Sequence, residues 1–446
     1  MFEKILVANR GEIACRIMRT CKALDVRTVG IYSEADRNSL HVQMADAAHL
    51  VGPPPVAQSY LQMDRILEIA MQEQVQAIHP GYGLLSENPE FAKKCAQAGI
   101  VFIGPQADTI EQMGNKVNAR MAMKHAGVPV VPGTLQPIAD AETAVRFANE
   151  IGYPVMVKAS AGGGGIGMQA VADDDSLRKA FAANTKRVQA YFGDGSMYLE
   201  KYLESTRHIE AQILADTHGN VLFLWERECS IQRRHQKILE EAPSTILTAD
   251  QREQLRSMAR NACSALGYVN AGTIECLLDP QGYLYFLEMN TRLQVEHPVT
   301  EEITGLDLVA WQLRIANGEA LTIKDEDISV SKHAIECRIY AERPDTFLPS
   351  PGTITSFKRP AAPWIRHELA VESGMTVTPF YDPMIAKLIV TGDTRNQAIE
   401  RLQHALHAYQ IAGIHTNVPF LQTLVIHPEF QKGNTTTDFI QRHMKQ

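Results

Sequence analysis

At 446 residues the chain has length for about three domains of roughly 150 residues each, which excludes a small scaffold held together by disulfides. Lysine and arginine number 43 against 51 aspartate and glutamate, a net charge of −8 with no long basic run, which argues against nucleic acid as the main partner. With 45% hydrophobic and 21% charged residues and no low-complexity tract, the composition is that of a folded globular protein.

The first residues carry charge at Glu3, Lys4, Arg10 and Glu12, so no apolar leader forms, and no 18-residue apolar window follows. We read the chain as cytoplasmic, with no membrane contact. Its seven cysteines include no C-x-x-C pair and sit in apolar patterns, which predicts reduced core thiols. Strands at 4–8, 27–32, 77–79 and 100–103, with a helix at 12–24 and further helices between, form a βαβ series and hence a parallel sheet covered on both faces. Helical stretches at 107–113 and 116–126 lead to a boundary at Pro129, Pro132 and Gly133. A small lid-like unit at about 130–203 follows, with a helix at 141–151, a strand ending at Lys158, a glycine run, and a strand at 197–200. The remainder is strand-rich with period two, broken by a helix at 251–266; a tail from about 331 adds strands and a helix at 396–412.

The stretch AGTIECLLDPQGYLYFLEMN reads as a hairpin turning at Asp279-Pro280-Gln281-Gly282. A four-residue turn sets Glu275 opposite Phe286 and puts Glu288 and Asn290 on the face of Glu275. Ile274, Cys276, Tyr285, Leu287 and Met289 then share the apolar face. Two carboxylates and an amide oxygen on one face suit Mg²⁺ or Mn²⁺ that also grips phosphate; a solvated polar face is the alternative. Arg292, Glu296 and His297 follow within a few residues, a fixed cation and a candidate general base for a small anion.

The run KASAGGGGIGMQAV contains G-x-G-x-x-G, but a strand at 168–172 follows instead of a helix, so the dinucleotide fingerprint fails its context. No P-loop motif is present. A glycine hairpin closing its N–H groups over nucleotide phosphates is the functional reading that survives. In ERECSIQRRHQKILEEAP, Arg227, Gln232, Arg233, Arg234, His235 and Lys237 offer a second cationic wall, or a solvated charged face.

In this order and spacing, ILVANRGEIACRI, AIHPGYGLLSEN, GGGGIGM, CSIQRRHQKILEEAP, FLEMNTRLQVEHPVTE, AIECRIYAE and FLPSPG resemble the biotin carboxylase family of ATP-grasp enzymes over essentially the full length. The resemblance implies mixed α/β and α+β architecture: a Rossmann-like parallel-sheet domain at 1–113, an ATP-grasp domain at 114–330 with the mobile lid at about 130–203, and a C-terminal domain at 331–446. It implies phosphorylation of bicarbonate by ATP to carboxyphosphate, and carboxylation of biotin carried on a partner protein.

Carried over by motif, the ATP site comprises Lys116, Lys158, Gly163, Gly164, Gly165, Glu200, Lys201, Tyr202, Leu203, His208, Gln232, His235, Glu275, Leu277 and Glu288. Glu275, Glu288 and Asn290 match metal ligands for two Mg²⁺ or Mn²⁺ ions. Lys237, Arg292, Gln294 and Val295 match the bicarbonate pocket, Glu296 the base, Arg338 the group stabilising the biotin enolate, and Tyr82 the biotin ring contact. The implied partners are a biotin carboxyl carrier protein, the carboxyltransferase components of the same complex and a second copy of the chain. Acetyl-CoA carboxylase is the expected context, with another acyl-CoA or 2-oxo-acid carboxylase, or a different ATP-grasp ligase, as alternatives. Two lid positions depart from the family: Ile166 replaces a usual basic residue, and Ala161 a frequent glycine. Ala122-Met123-Lys124-His125 echoes a biotinylation site but falls in a helical pattern, and no carrier or carboxyltransferase segment is expected within the chain.

Overall fold

The structure, a computed structural model, describes residues 1–160 and 167–444. Strands Ala47–Gly52, Arg27–Ser33, Lys4–Val7, Ala77–His79 and Val101–Phe102 lie in that order in one parallel sheet. Alternation decides what covers each face. Ile5 and Val7 pack with Ile13 and Ile17 of helix Gly11–Ala23 and with Leu313 of helix Leu308–Ala316. Leu6, Val29 and Ile31 turn the other way, onto Ile66 and Ile69 of helix Met63–Gln72 and Phe91 of helix Pro89–Gln97.

An eight-stranded sheet, antiparallel throughout, joins segments on either side of residue 330. Its order is Leu284–Asn290, Asn270–Leu278, Arg207–Ala215, Val221–Arg233, Gln236–Ala242, His333–Tyr340, Met384–Gly392 and Ile365–Leu369. Helix Ala249–Leu266 covers part of one face through Leu255, Met258 and Ala262. A Thr248/Gln251 capping box starts that helix and Gly267, with φ 54°, ends it.

A third sheet, Gln169–Val171, Val155–Ala159 and Met197–Lys201, is the core of the small unit. The strand after the glycine run pairs with the strand before it (Val155 with Val171, Val157 with Gln169), the hairpin read from sequence. The predicted glycine contacts Gly163, Gly164 and Gly165, with Ala161 and Ile166, lie outside the described residues.

Two elements differ from expectation. Helix Asp174–Phe192, absent from the sequence reading, packs Leu177, Ala180, Phe181 and Val188 beneath this sheet. Asn184 and Ala180 dilute its stripe, and the Asp173 cap with Gly193 after the last turn were the usable signals. The helix expected over 396–412 runs Arg395–Ala408, and Gln410–Ala412 instead pairs with Ser356–Lys358. That strand lies more than fifty residues away in sequence, so no local pattern announces it. Lys124 sits in the last turn of helix Lys116–His125. All seven cysteines are unbridged and buried.

Candidate functional site

A cavity of about 610 Å³ opens where the sheets meet. The loop after strand Lys4–Val7 and the loop after strand Ala77–His79 both line it, at the point where the parallel sheet's neighbours lie on opposite sides of its central strand. Crevices at such switch points are the usual ligand sites of open parallel sheets. Asn9 donates to the carbonyls of Pro80 (2.7 Å) and Tyr82 (2.8 Å) and so pins the second loop to the first. Gly81 has φ +65°, and a Cβ there would lie 2.9 Å from the Asn9 amide nitrogen. Tyr82 lines the cavity and donates its hydroxyl proton to Glu12.

The antiparallel sheet supplies the charged wall. Glu275 stands directly opposite Glu288, not opposite Phe286; Phe286 faces Cys276. The turn sets Leu278 opposite Leu284, one residue off the register expected of a four-residue turn, so Leu284 and Phe286 take the core positions. A bulge then leaves Leu287 as an extra residue pointing into the cavity and restores Glu288 and Asn290 to the face of Glu275, as expected.

Lys237 is the hub. Its Nζ donates to Glu275 (2.8 Å), to Glu296 (2.8 Å) and to Glu210. Burial alone would depress its ammonium, but the three carboxylates raise it well above the ordinary lysine value. His208 Nε2 lies 3.0 Å from Glu275 and 3.2 Å from Glu210, and its ring meets the Gln232 amide at 2.9 Å. Burial opposes protonation of this ring, but Glu275 and Glu210 prevail and lift it to about 9. Burial likewise opposes ionisation of Glu275 and Glu296. Lys237 and His208 hold the first, and Lys237, Arg338 and Arg227 the second, well below the usual carboxylate range.

Glu296, fully buried, bridges Lys237 and Arg338, whose Nη2 donates to it at 3.0 Å. Arg338 Nε donates to Glu240 at 2.6 Å. Arg292 donates to Glu87 (2.7 Å), Gln294 (3.0 Å) and Asn290 (2.8 Å). The Gln294 amide reaches Glu275 at 2.8 Å, and the Val295 carbonyl accepts from Lys387 at 2.7 Å. Asn290 donates to Glu275 (2.7 Å), and its carbonyl oxygen, the atom a metal would use, accepts from Arg292. Lys116, capped into the first turn of its helix by Asn115, lies 3.5 Å from Glu288. Lys158 forms an ion pair with Glu200 and lines the cavity.

The remaining predicted residues are dispersed. Glu200 is held between Lys158 and Arg120, and the Lys201 ammonium donates to the carbonyls of Gly152 and Tyr153. These two, with Tyr202, Leu203 and Leu277, are outside the cavity lining, whereas His235, at the tip of an exposed turn, is within it. Three members of the expected cationic wall lie outside the cavity lining, Arg234 being exposed at the turn. Arg227 is fully buried among Glu210, Gln212, Thr273 and Thr300, and Arg233 pairs with Glu342 and stacks on Phe347. Each has a partner in another strand or loop, invisible in a local run of charges.

Sequence reasoning missed Glu210, Glu87, Glu12, Lys387 and Glu240. The signal for Glu210 was present, since it lies two residues from His208 on a strand and so shares its face.

Carboxylate oxygens converge at Glu275 and Glu288 beside Lys116, with the Asn290 carbonyl oxygen on the same face. This donor set fits a hard divalent cation.

The chain matches family models over nearly its whole length: biotin carboxylase, N-terminal domain, at residues 1–110; carbamoyl-phosphate synthase L chain, ATP binding domain, at 115–324; and biotin carboxylase C-terminal domain at 336–442. It is 60% identical over 445 residues to a biotin carboxylase of Halalkalibacterium halodurans, covering 100% of this chain and 98% of that one. It is 51% identical over 446 residues to a pyruvate carboxylase subunit of Methanothermobacter thermautotrophicus, covering 100% and 91%. Among solved structures it superposes, with a TM-score of 0.97 and 48% identity, on the biotin carboxylase domain dimer of Hydrogenobacter thermophilus 2-oxoglutarate carboxylase in complex with MgADP, ADP and bicarbonate, covering 100% and 98%.

Proposed function

The chain belongs to the biotin carboxylase family of ATP-grasp enzymes, and on that footing we propose that it carboxylates biotin on a separate carrier protein as the first half-reaction of an acetyl-CoA carboxylase. The observation that carries the reaction is the line Lys237, Glu296, Arg338: a buried ionised carboxylate held between two cations at the cavity.

Bicarbonate sits beside Lys237, Arg292, Gln294 and the peptide of Val295. Glu296 takes its proton, a bicarbonate oxygen attacks the γ-phosphorus of ATP, and ADP leaves. The resulting carboxyphosphate yields CO₂ and phosphate; the released phosphate takes the N1′ proton of biotin, and CO₂ bonds to that nitrogen. Arg338 stabilises the negative charge on the ureido oxygen of deprotonated biotin, whose ring rests near Tyr82. Lys116 and Lys158 bind the ATP phosphates, with His208, Gln232 and His235 as further nucleotide contacts. Glu275 and Glu288, with Asn290 once Arg292 releases its oxygen, would hold Mg²⁺ or Mn²⁺. Such ions supply charge neutralisation of the triphosphate.

A biotin carboxylase at 60% identity, covered over 98% of its length, supports a separate biotin carboxylase subunit, the layout for which we propose acetyl-CoA as final acceptor; the pyruvate and 2-oxoglutarate relatives stand at 51% and 48%. Those relatives also support the second reading, a 2-oxo-acid acceptor. The dimer named for the 2-oxoglutarate relative supports a homodimer here, checked by sedimentation. We place the enzyme in the cytoplasm. Among the described residues no helix is long and apolar enough to cross a membrane. Bicarbonate-dependent ATP hydrolysis that free biotin stimulates is the expected result. ATP hydrolysis indifferent to biotin would overturn the reading. Reconstitution with the carrier and each carboxyltransferase separates the acceptors.

A further inference from the structure

Behind Arg338, on the side away from Glu296, a second pair of carboxylates has no part in the mechanism above. Glu240 and Glu336 are direct partners across two antiparallel strands, so their side chains leave the same face of the sheet, and neither has any exposed surface. Arg338 Nε occupies Glu240 Oε1. Glu240 Oε2 and both oxygens of Glu336 are buried with no donor within hydrogen-bonding reach among the described residues. A carboxylate can only accept, so two ionised groups on directly opposed positions would leave three buried oxygens without a donor. One proton turns two of those oxygens into a hydrogen bond and removes the repulsion.

We infer that Glu240 and Glu336 share a single proton and act as positioning residues for Arg338, leaving it one carboxylate charge on its inner side. This deepens the function proposed above and rests on it.

The groups around the pair are accounted for. Arg338 lies two residues along the strand, and Lys387, opposite Arg338 on the next strand, is engaged by Glu12 (3.3 Å) and the Val295 carbonyl. Glu296 and Lys237 face Arg338 as well, and Tyr82 of a parallel-sheet loop meets Glu12 of helix Gly11–Ala23. The buried Tyr340, Cys229 and Cys337, all held protonated by burial, complete the surroundings. His297 caps the same region from helix His297–Thr304, and burial keeps it neutral. Burial pushes Glu240 up to about 7 against the pull of Arg338, with Glu296 adding to the rise. Burial also raises Glu336 well above the usual carboxylate range, against Lys387 and with Glu240.

With the proton in place Arg338 divides its donors between Glu240 and Glu296 and keeps its cavity-facing edge for substrate. Loss of the proton adds a second charge on the inner side, which draws the guanidinium away from the biotin oxygen. Carboxybiotin formation therefore falls at alkaline pH while bicarbonate-dependent ATP cleavage persists.

The test joins difference infrared spectroscopy to pH profiles of both half-reactions on the whole protein. We expect a neutral carboxylic acid carbonyl band in the wild type that disappears in Glu336→Gln. That variant, whose amide replaces the acid as donor, should keep carboxybiotin formation within about threefold of wild type while the alkaline fall moves up or vanishes. Glu336→Ala should lose about tenfold in that step alone. If Glu336→Gln does not fold, Glu240→Gln serves in its place and should shift the same band. Absence of the band in the wild type, its persistence in the glutamine variant, or an unchanged pH profile would overturn the inference. A wild type that shows the band but carboxylates no biotin would overturn the proposed function and leave the shared proton standing.

Discussion

Glu275 faces Glu288 near one edge of the eight-stranded sheet, and Glu240 faces Glu336 near its middle. Both are cross-strand carboxylate pairs, and like charges directly opposite one another repel. The first is bracketed by cations, with Lys237 at 2.8 Å and His208 at 3.0 Å from Glu275 and Lys116 at 3.5 Å from Glu288. The Glu288 side chain is 39% exposed to the cavity. In the second pair one guanidinium reaches Glu240 and, among the described residues, none reaches Glu336, and both are sealed from solvent. Identical chemistry thus meets opposite conditions: cations around the open pair keep Glu275 charged, whereas the sealed pair lowers its energy by keeping a proton.

Neutralising the open pair should cost most. Glu275→Gln removes charge that Lys237, His208 and the divalent ions all share, and bicarbonate-dependent ATP cleavage should drop by about a thousandfold or more. Near wild-type phosphate release at ordinary Mg²⁺ would erase the distinction between the pairs. Glu288→Gln should behave alike but respond partly to raised Mg²⁺, a titration that reports the metal role directly.

Arg338 stands between the two regimes. Arg338→Ala should lower carboxybiotin formation by about two to three orders of magnitude yet leave ATP cleavage partly intact, whereas Glu296→Ala depresses both steps together. Parallel assays of phosphate release and of labelled bicarbonate fixed on biotin show the split. Equal losses in both variants would dissolve it.

The smallest effect concerns stability. Glu240 titrates near 4.5 in an unfolded chain and near 7 when folded, so the folded state holds the extra proton. Its stabilising contribution is present below about pH 4.5 and is lost as pH rises through about 7. Glu336→Gln, which supplies a neutral donor in place of the second titrating acid, should flatten this decline in the thermal midpoint between pH 5 and 8. An identical slope in wild type and variant would mean that the sealed pair is ionised like the open one.

Much of this site was legible in the chain. Lys116, Lys158, Lys237, Glu275, Glu288, Arg292, Gln294 and Arg338 come from well-separated stretches and meet at one cavity. The glycine run was read as a strand hairpin instead of a dinucleotide turn because a strand followed it, and the pairing of Val155–Ala159 with Gln169–Val171 agrees. The charge-rich stretch 225–242 was legible only in part. Gln232, His235 and Lys237 reach the cavity, while Arg227 and Arg233 serve buried carboxylates whose positions no local reading supplies.

The alternation of Ile5, Leu6 and Val7, the hairpin at Asp279–Gly282 and the motif order determined, from sequence alone, a parallel sheet, a charged antiparallel face and the chemistry it offers. These signals are local: which side of a strand a residue faces follows from its neighbours two positions away. Tertiary structure decided the rest. The turn register that puts Leu284 and Phe286 in the core, and the bulge at Leu287 that returns Glu288 and Asn290 to the face of Glu275, are a fit between two paired strands, and each one-residue slip swaps the faces of the residues that follow. The partners that tune the charges, Glu296 on Lys237 and Arg338, and Glu336 on Glu240, lie 42 to 96 positions apart, so only closure of the fold brings them into electrostatic range.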